Sequence, residues 1–127
     1  MIIPITIKSR NVLDKMHWAK KSMLKKEYAL LIRNQMRLNP IYEEAEEGRR
    51  YTLEIVSYRK RLLDYDNLVG GSIKQLLDAM TSENFIWDDA PKYIDLRVKQ
   101  VLNSDRPTIT KSIAVCVTKK NPLNHTI

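Results

Sequence analysis

The side chains able to do chemistry crowd into one stretch, Arg59 to Asp89, RKRLLDYDNLVGGSIKQLLDAMTSENFIWDD. Asp64 and Asp66 stand one residue apart, Lys74 follows on a glycine-broken helical segment, and Asp88 and Asp89 close the run. Arg59, Lys60 and Arg61 lead straight into the first acid. Carboxylates gathered this way repel one another, and each resists burial unless a cation compensates it. A divalent metal compensates several at once. Oxygen-only ligands suit Mg²⁺ or Mn²⁺, and Mg²⁺ commonly takes one or two carboxylates plus waters and substrate phosphate. The pattern points to a metal-dependent enzyme acting on a polyanion. Asp64, Asp66, Asp88 and Asp89 are the candidate ligands, and Lys74 is the compact cation that would steady charge developing on a phosphate. An extended Asp64-Tyr65-Asp66 segment would set both acids on one side, because side chains alternate along a strand.

Each of these residues also has a plainer reading. Asp66 or Asn67 can cap a helix. Lys74 can pair with Asp78 one turn later, a surface contact worth a few tenths of a kcal/mol. Asp88-Asp89 before Ala90-Pro91 can be an acidic turn. Two metal classes are excluded by pattern. A calcium loop needs acids at its first, third and fifth places and glycine at the sixth, where Leu68 and Val69 stand in this chain. One cysteine, Cys116, and two histidines, His17 and His125, are too few soft ligands for zinc. An aspartyl-phosphate phosphohydrolase also uses D-x-D, a lysine and a late acidic pair, but after an apolar central strand that Arg59 to Leu63 does not resemble.

Positioning these groups calls for an α/β framework. Ile2 to Ile7 reads as an edge strand interrupted by Pro4. Asp14 can cap a long helix running to about Leu38, ended by Asn39-Pro40, with Leu24, Tyr28, Leu31, Ile32 and Met36 as its buried stripe. Glu43, Glu44, Glu46 and Glu47 with Gly48 form an acidic loop. Tyr51, Leu53 and Ile55 alternate as a strand toward the basic run. The helix after Asp66 has Val69, Ile73, Leu76, Leu77 and Met80 as its apolar face. Ile94, Leu96 and Val98 alternate with Asp95, Arg97 and Lys99. Ile109, Ile113, Val115 and Val117 make a last strand, paired with the preceding one as a hairpin through Asp105-Arg106-Pro107. The order β-α-β-α-β-β predicts a single-domain, two-layer α/β sandwich with a mixed sheet over residues 1–127.

The chain has 127 residues with 22 Lys+Arg against 15 Asp+Glu, a net charge of +7. That field attracts nucleic acid, anionic membrane or acidic protein. Its length suits one domain with its own core. No apolar run approaches the roughly 20 residues of a membrane helix. The opening MIIPITIKSR lacks the basic start and small-residue cleavage site of a signal peptide, so a cytoplasmic setting is expected. Cys116 lies in an apolar alternating run and reads as a small core residue. Lys20, Lys21, Lys25 and Lys26, together with Arg59, Lys60 and Arg61, are the candidate phosphate contacts on DNA. Trp18 reads as a core anchor, with stacking of His17 and Trp18 on an exposed base as the alternative.

The segments D-Y-D-N-L, a following helix with a lysine and L-D-A, then F-I-W-D-D-A-P resemble the RusA-type Holliday junction resolvases of bacteria and their prophages. M-H-W-A-K-K in the first helix is similar to the phage branch of that family, and the resemblance spans about Asp14 to Val98. It implies a small homodimer that binds four-way DNA junctions and, with Mg²⁺ or Mn²⁺, nicks two strands symmetrically in DNA recombination or repair. Carried across by motif, Asp64, Asp66 and Asp89 are the essential acids with Asp88 beside them, and Lys74 matches the essential lysine. Two registers compete for that lysine. One turn after the second aspartate falls on Gly70, whereas counting back from Leu77-Asp78-Ala79 reaches Lys74. A bare turn at Gly70 and Gly71 would let Lys74 or a DNA phosphate approach Asp64 and Asp66. The other function class is a non-catalytic DNA-junction-binding protein of the same fold, its acids serving as caps and turns.

Overall fold

A computed structural model describes residues 1–4, 7–59, 62–102 and 115–120, apart from the Val69 side chain. Lys60, Arg61, the Asp105-Arg106-Pro107 turn, Ile109, Ile113 and His125 lie outside the described residues. In chain order the elements are β1 (Ile2–Ile3), α1 (Arg10–Asp14), α2 (Trp18–Leu38), β2 (Tyr51–Arg59), α3 (Tyr65–Val69), α4 (Ile73–Ser82), β3 (Ile94–Leu102) and β4 (Val115–Lys120). The chain is thus of mixed α/β class, with a four-stranded mixed sheet among the described residues.

The sheet order is β1-β4-β2-β3. β2 lies at the centre, parallel to β3 and antiparallel to β4. The expected hairpin of the last two strands is therefore wrong: β3 and β4 flank β2 on opposite sides. Side-chain character accounts for this. β4 brings buried Val115 and Val117 against buried Ile55 and Ser57 of β2. β3 carries Asp95, Arg97 and Lys99, charges that suit a sheet edge. The α3–α4 crossover supplies the length that a parallel β2–β3 pair requires. β1 is shorter than expected, two residues paired antiparallel to β4 at the other edge.

The long first helix is two helices. Ser9 caps α1, its Oγ accepting from Val12 N–H at 3.2 Å, and Asp14 ends that helix instead of starting the next. His17 caps α2 through Nδ1, which accepts from Ala19 N–H at 3.2 Å. α2 does end at Leu38, before Asn39-Pro40. Its stripe is buried at Leu24, Tyr28 and Ile32 and half-buried at Leu31 and Met36. α4 turns Ile73, Leu76, Leu77 and Met80 inward, and these join Leu53, Ile55, Ile94 and Val117 in one contiguous core. Trp18 corrects the sequence reading: it is 74% exposed and takes no part in that core. Cys116 is half-buried.

Candidate active site

The segment that delivers Asp64 is clamped to β3. Leu63 N–H donates to Gln100 Oε1 at 2.9 Å, and Gln100 Nε2 donates to Leu63 O at 2.6 Å. The amide side chain thus pairs with the backbone as a neighbouring strand would. Asp64 then takes the extended N-cap position (φ −62°, ψ 150°), and Tyr65–Val69 turn helical. The cap position belongs to Asp64, not to Asp66 or Asn67. Strand alternation cannot align Asp64 with Asp66, since the helix has begun before Asp66. Both carboxylates are exposed, and among the described residues neither has a side-chain partner.

The expected break in the next helix is present at Gly70-Gly71-Ser72, but it serves a different purpose. A Cβ on Gly71 would collide with the Lys8 carbonyl oxygen and stand 3.1 Å from both Lys8 C and Asn67 O. At Gly71 the missing side chain makes room for the backbone of Lys8, and Lys74 meets Asp78 and Asp89 in place of Asp64 and Asp66. That close approach lets Ser72 N–H donate to Lys8 O at 3.0 Å while Lys8 N–H donates to Ser72 Oγ at 2.7 Å. Ser72 Oγ also shares a 2.8 Å hydrogen bond with Tyr28 Oη. The buried serine thereby ties α2, the Lys8 segment and the start of α4 at one point. Burial raises the Tyr28 hydroxyl to about 12, against a smaller lowering from the Ser72 bond.

α4 stops in a Schellman turn. Asn84 adopts φ 61°, Asn84 N–H donates to Thr81 O at 3.1 Å, and Phe85 N–H donates to Met80 O at 2.9 Å. Asn tolerates that left-handed conformation better than most side chains. The turn sends Phe85 and Ile86 into the core and swings Asp88-Asp89 back beside the helix. Lys74 Nζ lies 3.1 Å from Asp89 Oδ2 and 3.4 Å from Asp78 Oδ1. Asp89 N–H donates to Asp88 Oδ1 at 2.8 Å, fixing the acidic pair. The Asp89 hydrogen bond, then the charges of Asp78 and Asp89, raise the Lys74 ammonium above its ordinary value. Partial burial pushes the Asp89 carboxyl up, but the hydrogen bond and charge of Lys74 and the Asp88 hydrogen bond outweigh it, leaving Asp89 below the usual carboxylate range.

The fold therefore assembles Lys74, Asp78, Asp88 and Asp89, while Asp64 and Asp66 are exposed and take no part in those contacts. Asp78 had a visible signal, its i,i+4 spacing from Lys74. Gln100 had none, because a polar residue alternating on a strand reads as a solvated one. Lys119 was equally silent. It donates to Glu43 O at 2.7 Å and Phe85 O at 2.9 Å, lies over the Tyr51 and Phe85 rings, and pins β4 to the turn after α4.

Of the candidate phosphate contacts, Lys20, Lys25 and Lys26 are exposed on α2 and Lys21 is half-buried. Arg59 is half-buried in β2, its Nη1 donating to Ile7 O at 2.6 Å, and desolvation lowers its pKa against the charge of Tyr28. It is at least partly a structural residue.

The donor set suits Mg²⁺ or Mn²⁺ by chemistry, since every candidate ligand is a carboxylate oxygen. Among the described residues no three of His, Cys, Asp and Glu stand together so as to hold a metal ion. The fit is to a site of one or two acids completed by water and substrate phosphate, for which Asp64 and Asp66 have the free oxygens. No helix among the described residues is long and apolar enough to cross a membrane.

Fold and site define a mixed α/β protein with an exposed acid pair and a lysine–carboxylate array. No family profile, curated protein or solved structure matches the chain.

Proposed function

We propose that this chain is a Mg²⁺- or Mn²⁺-dependent crossover junction endodeoxyribonuclease of RusA type, a phosphodiester hydrolase that nicks four-way DNA junctions in recombination or repair. Its architecture in this reading is a single-domain two-layer α/β sandwich acting as a homodimer. The observation that carries the proposal is the meeting of Lys74 with Asp89, fifteen residues apart in sequence and 3.1 Å apart in space. Lysine and late acidic pair are two of the three parts of the motif that must converge if they serve one phosphate, the third being Asp64 and Asp66.

Asp64 and Asp66 would hold the ion together with water and substrate phosphate, while Asp88 and Asp89 would serve through Lys74. When bound, the ion supplies a more acidic water and a polarised phosphoryl oxygen. Lys74 acts as a fixed positive charge, not as a base, because its neighbours favour the protonated form. Asp89 keeps its negative charge at neutral pH and orients Lys74. Gln100 positions the strand-to-helix junction at Asp64 through the Leu63 backbone.

A second reading, a junction-binding protein without cleavage, is favoured by one observation. Asp78 and Asp89 already neutralise Lys74, so the array is self-sufficient as a surface ion-pair cluster. The test is a synthetic four-way junction and a matched linear duplex, each with Mg²⁺ and with EDTA. Paired symmetric nicks should appear in the junction alone, vanish with EDTA and Asp66→Asn, and fall about 10²- to 10³-fold in Lys74→Met. Salt-sensitive junction binding with no nicks under any metal would overturn the enzyme in favour of the binding protein.

A further inference from the structure

The least protected large ring on the molecule is that of Trp18. Its exposure is 74%, against 70% for Tyr65 and 38% for Trp87. The His17 ring lies 5.4 Å from it, centroid to centroid, at an interplanar angle of 37°. His17 is favoured in this position because its Nδ1 accepts the Ala19 N–H at 3.2 Å and caps α2. That bond also leaves Nε2 as the hydrogen-bond donor of the neutral ring. The two rings form a held aromatic surface at the start of a long helix.

The sequence around them is rich in lysine, between Asp14 and Glu27. Residues 15–26 read KMHWAKKSMLKK, with Lys15, Lys20, Lys21, Lys25 and Lys26 and no acid. None of these five lysines takes part in an ion pair among the described residues. Elsewhere among the described residues some cations do pair, as Arg33 does with Glu83 and Lys74 with Asp89. Exposed aromatic rings interleaved with unpaired cations are the recurring surface for single-stranded nucleic acid: rings stack on bases and cations follow the backbone.

Resting on the nucleic-acid reading above, we propose that His17 and Trp18, set among Lys15, Lys20, Lys21, Lys25 and Lys26, form a stacking platform for an unstacked base of single-stranded or branched DNA. Two other occupants fit less well. A bilayer surface would need a continuous apolar face on α2; Leu24, Tyr28 and Ile32 are buried in the core, and the exposed Met23 and Leu30 stand among Lys20, Lys26 and Glu27. A second copy of the same surface would bring two sets of unpaired lysines together.

The test uses oligothymidylate in EDTA, where no metal-dependent cleavage occurs, and the intact chain carrying Trp87→Phe so that Trp18 is the sole indole. Emission of Trp18 should be quenched on binding. Trp18→Ala should weaken the affinity about 5- to 150-fold, the span of one base stacked on one ring, while Trp18→Phe keeps most of it. Because Trp18 is exposed, circular dichroism of the variants should match the parent.

Equal affinity of Trp18→Ala and parent would overturn the platform. Binding without quenching would do the same, as would quenching or a blue shift with anionic phospholipid vesicles but not with oligonucleotide. The same variants on a four-way junction with Mg²⁺ separate the two proposals. Undiminished nicking by Trp18→Ala with unchanged oligothymidylate affinity removes the platform and leaves the nuclease. A parent protein that neither nicks nor binds any DNA removes both.

Discussion

Gly71→Ala tests how α4, and with it Lys74, is held. The added Cβ would overlap the Lys8 carbonyl oxygen. Backbone of one segment or the other must retreat by about 1 Å to restore an ordinary carbon–oxygen separation. Such overpacking costs about 1–3 kcal/mol. The same retreat stretches the Ser72–Lys8 pair of hydrogen bonds, 3.0 and 2.7 Å long, and losing one costs about 0.5–1.5 kcal/mol. Replacing glycine returns about 0.4–1 kcal/mol through the unfolded chain. The net loss is about 0.5–4 kcal/mol, a fall in Tm of roughly 2–20 °C for a domain of this size. Thermal melts followed by circular dichroism, with urea titrations for the free energy, measure it. Gly48→Ala is the control. Gly48 has φ +69° with open space around it, so its cost is conformational only, about 1 kcal/mol. A Gly71→Ala protein melting at or above wild type, with Gly48→Ala still lowered, would refute the claim that close backbone approach demands this glycine.

Two further expectations concern pH. The Tyr28 hydroxyl is raised to about 12 in the fold from an ordinary 10, so its stabilising effect is complete below pH 10 and is lost between pH 10 and 12. Wild type should lose about 2–3 kcal/mol more than Tyr28→Phe across that window, by urea denaturation at each pH; parallel curves would contradict it. At the other end of the scale, Arg33 Nε and Nη2 grip Glu83 Oε1 and Oε2 at 2.7 and 2.9 Å, joining α2 to the end of α4. The Arg33 hydrogen bond, against partial burial, lowers the Glu83 carboxyl. Glu83→Gln should melt below wild type at neutral pH, and the difference should close as pH falls through the depressed carboxylate range; a difference that persists at pH 2 would mean that packing, not charge, carries the contact.

The lysine–acid array is where local pattern and tertiary structure divide most clearly. Local periodicity was enough for α2, whose buried Leu24, Tyr28 and Ile32 recur every four residues, and for α4, whose Ile73, Leu76, Leu77 and Met80 share one face. It was enough for the break at Gly70-Gly71 and for the loop at Gly48. These features depend on neighbours within one or two helical turns, and such spacing is written in the chain itself. Periodicity misled at Asp14, because a cap signal can equally sit at the end of a short helix, and at Trp18, because an aromatic ring carries the same hydrophobic weight buried or exposed.

What the chain alone determined was therefore the kind of groups available: carboxylates in two pairs, a lysine between them, and unpaired lysines around an aromatic pair. Which of them meet was decided by the tertiary fold. The Schellman turn at Asn84 brings Asp89 to Lys74, and the Gln100 amide fixes the backbone before Asp64. The pairing of β4 with β2 in place of β3 follows from burial of Val115 and Val117. Each of these contacts joins residues distant in sequence through hydrogen bonds or shared burial, and no single segment carries the information for a partner that another segment must supply.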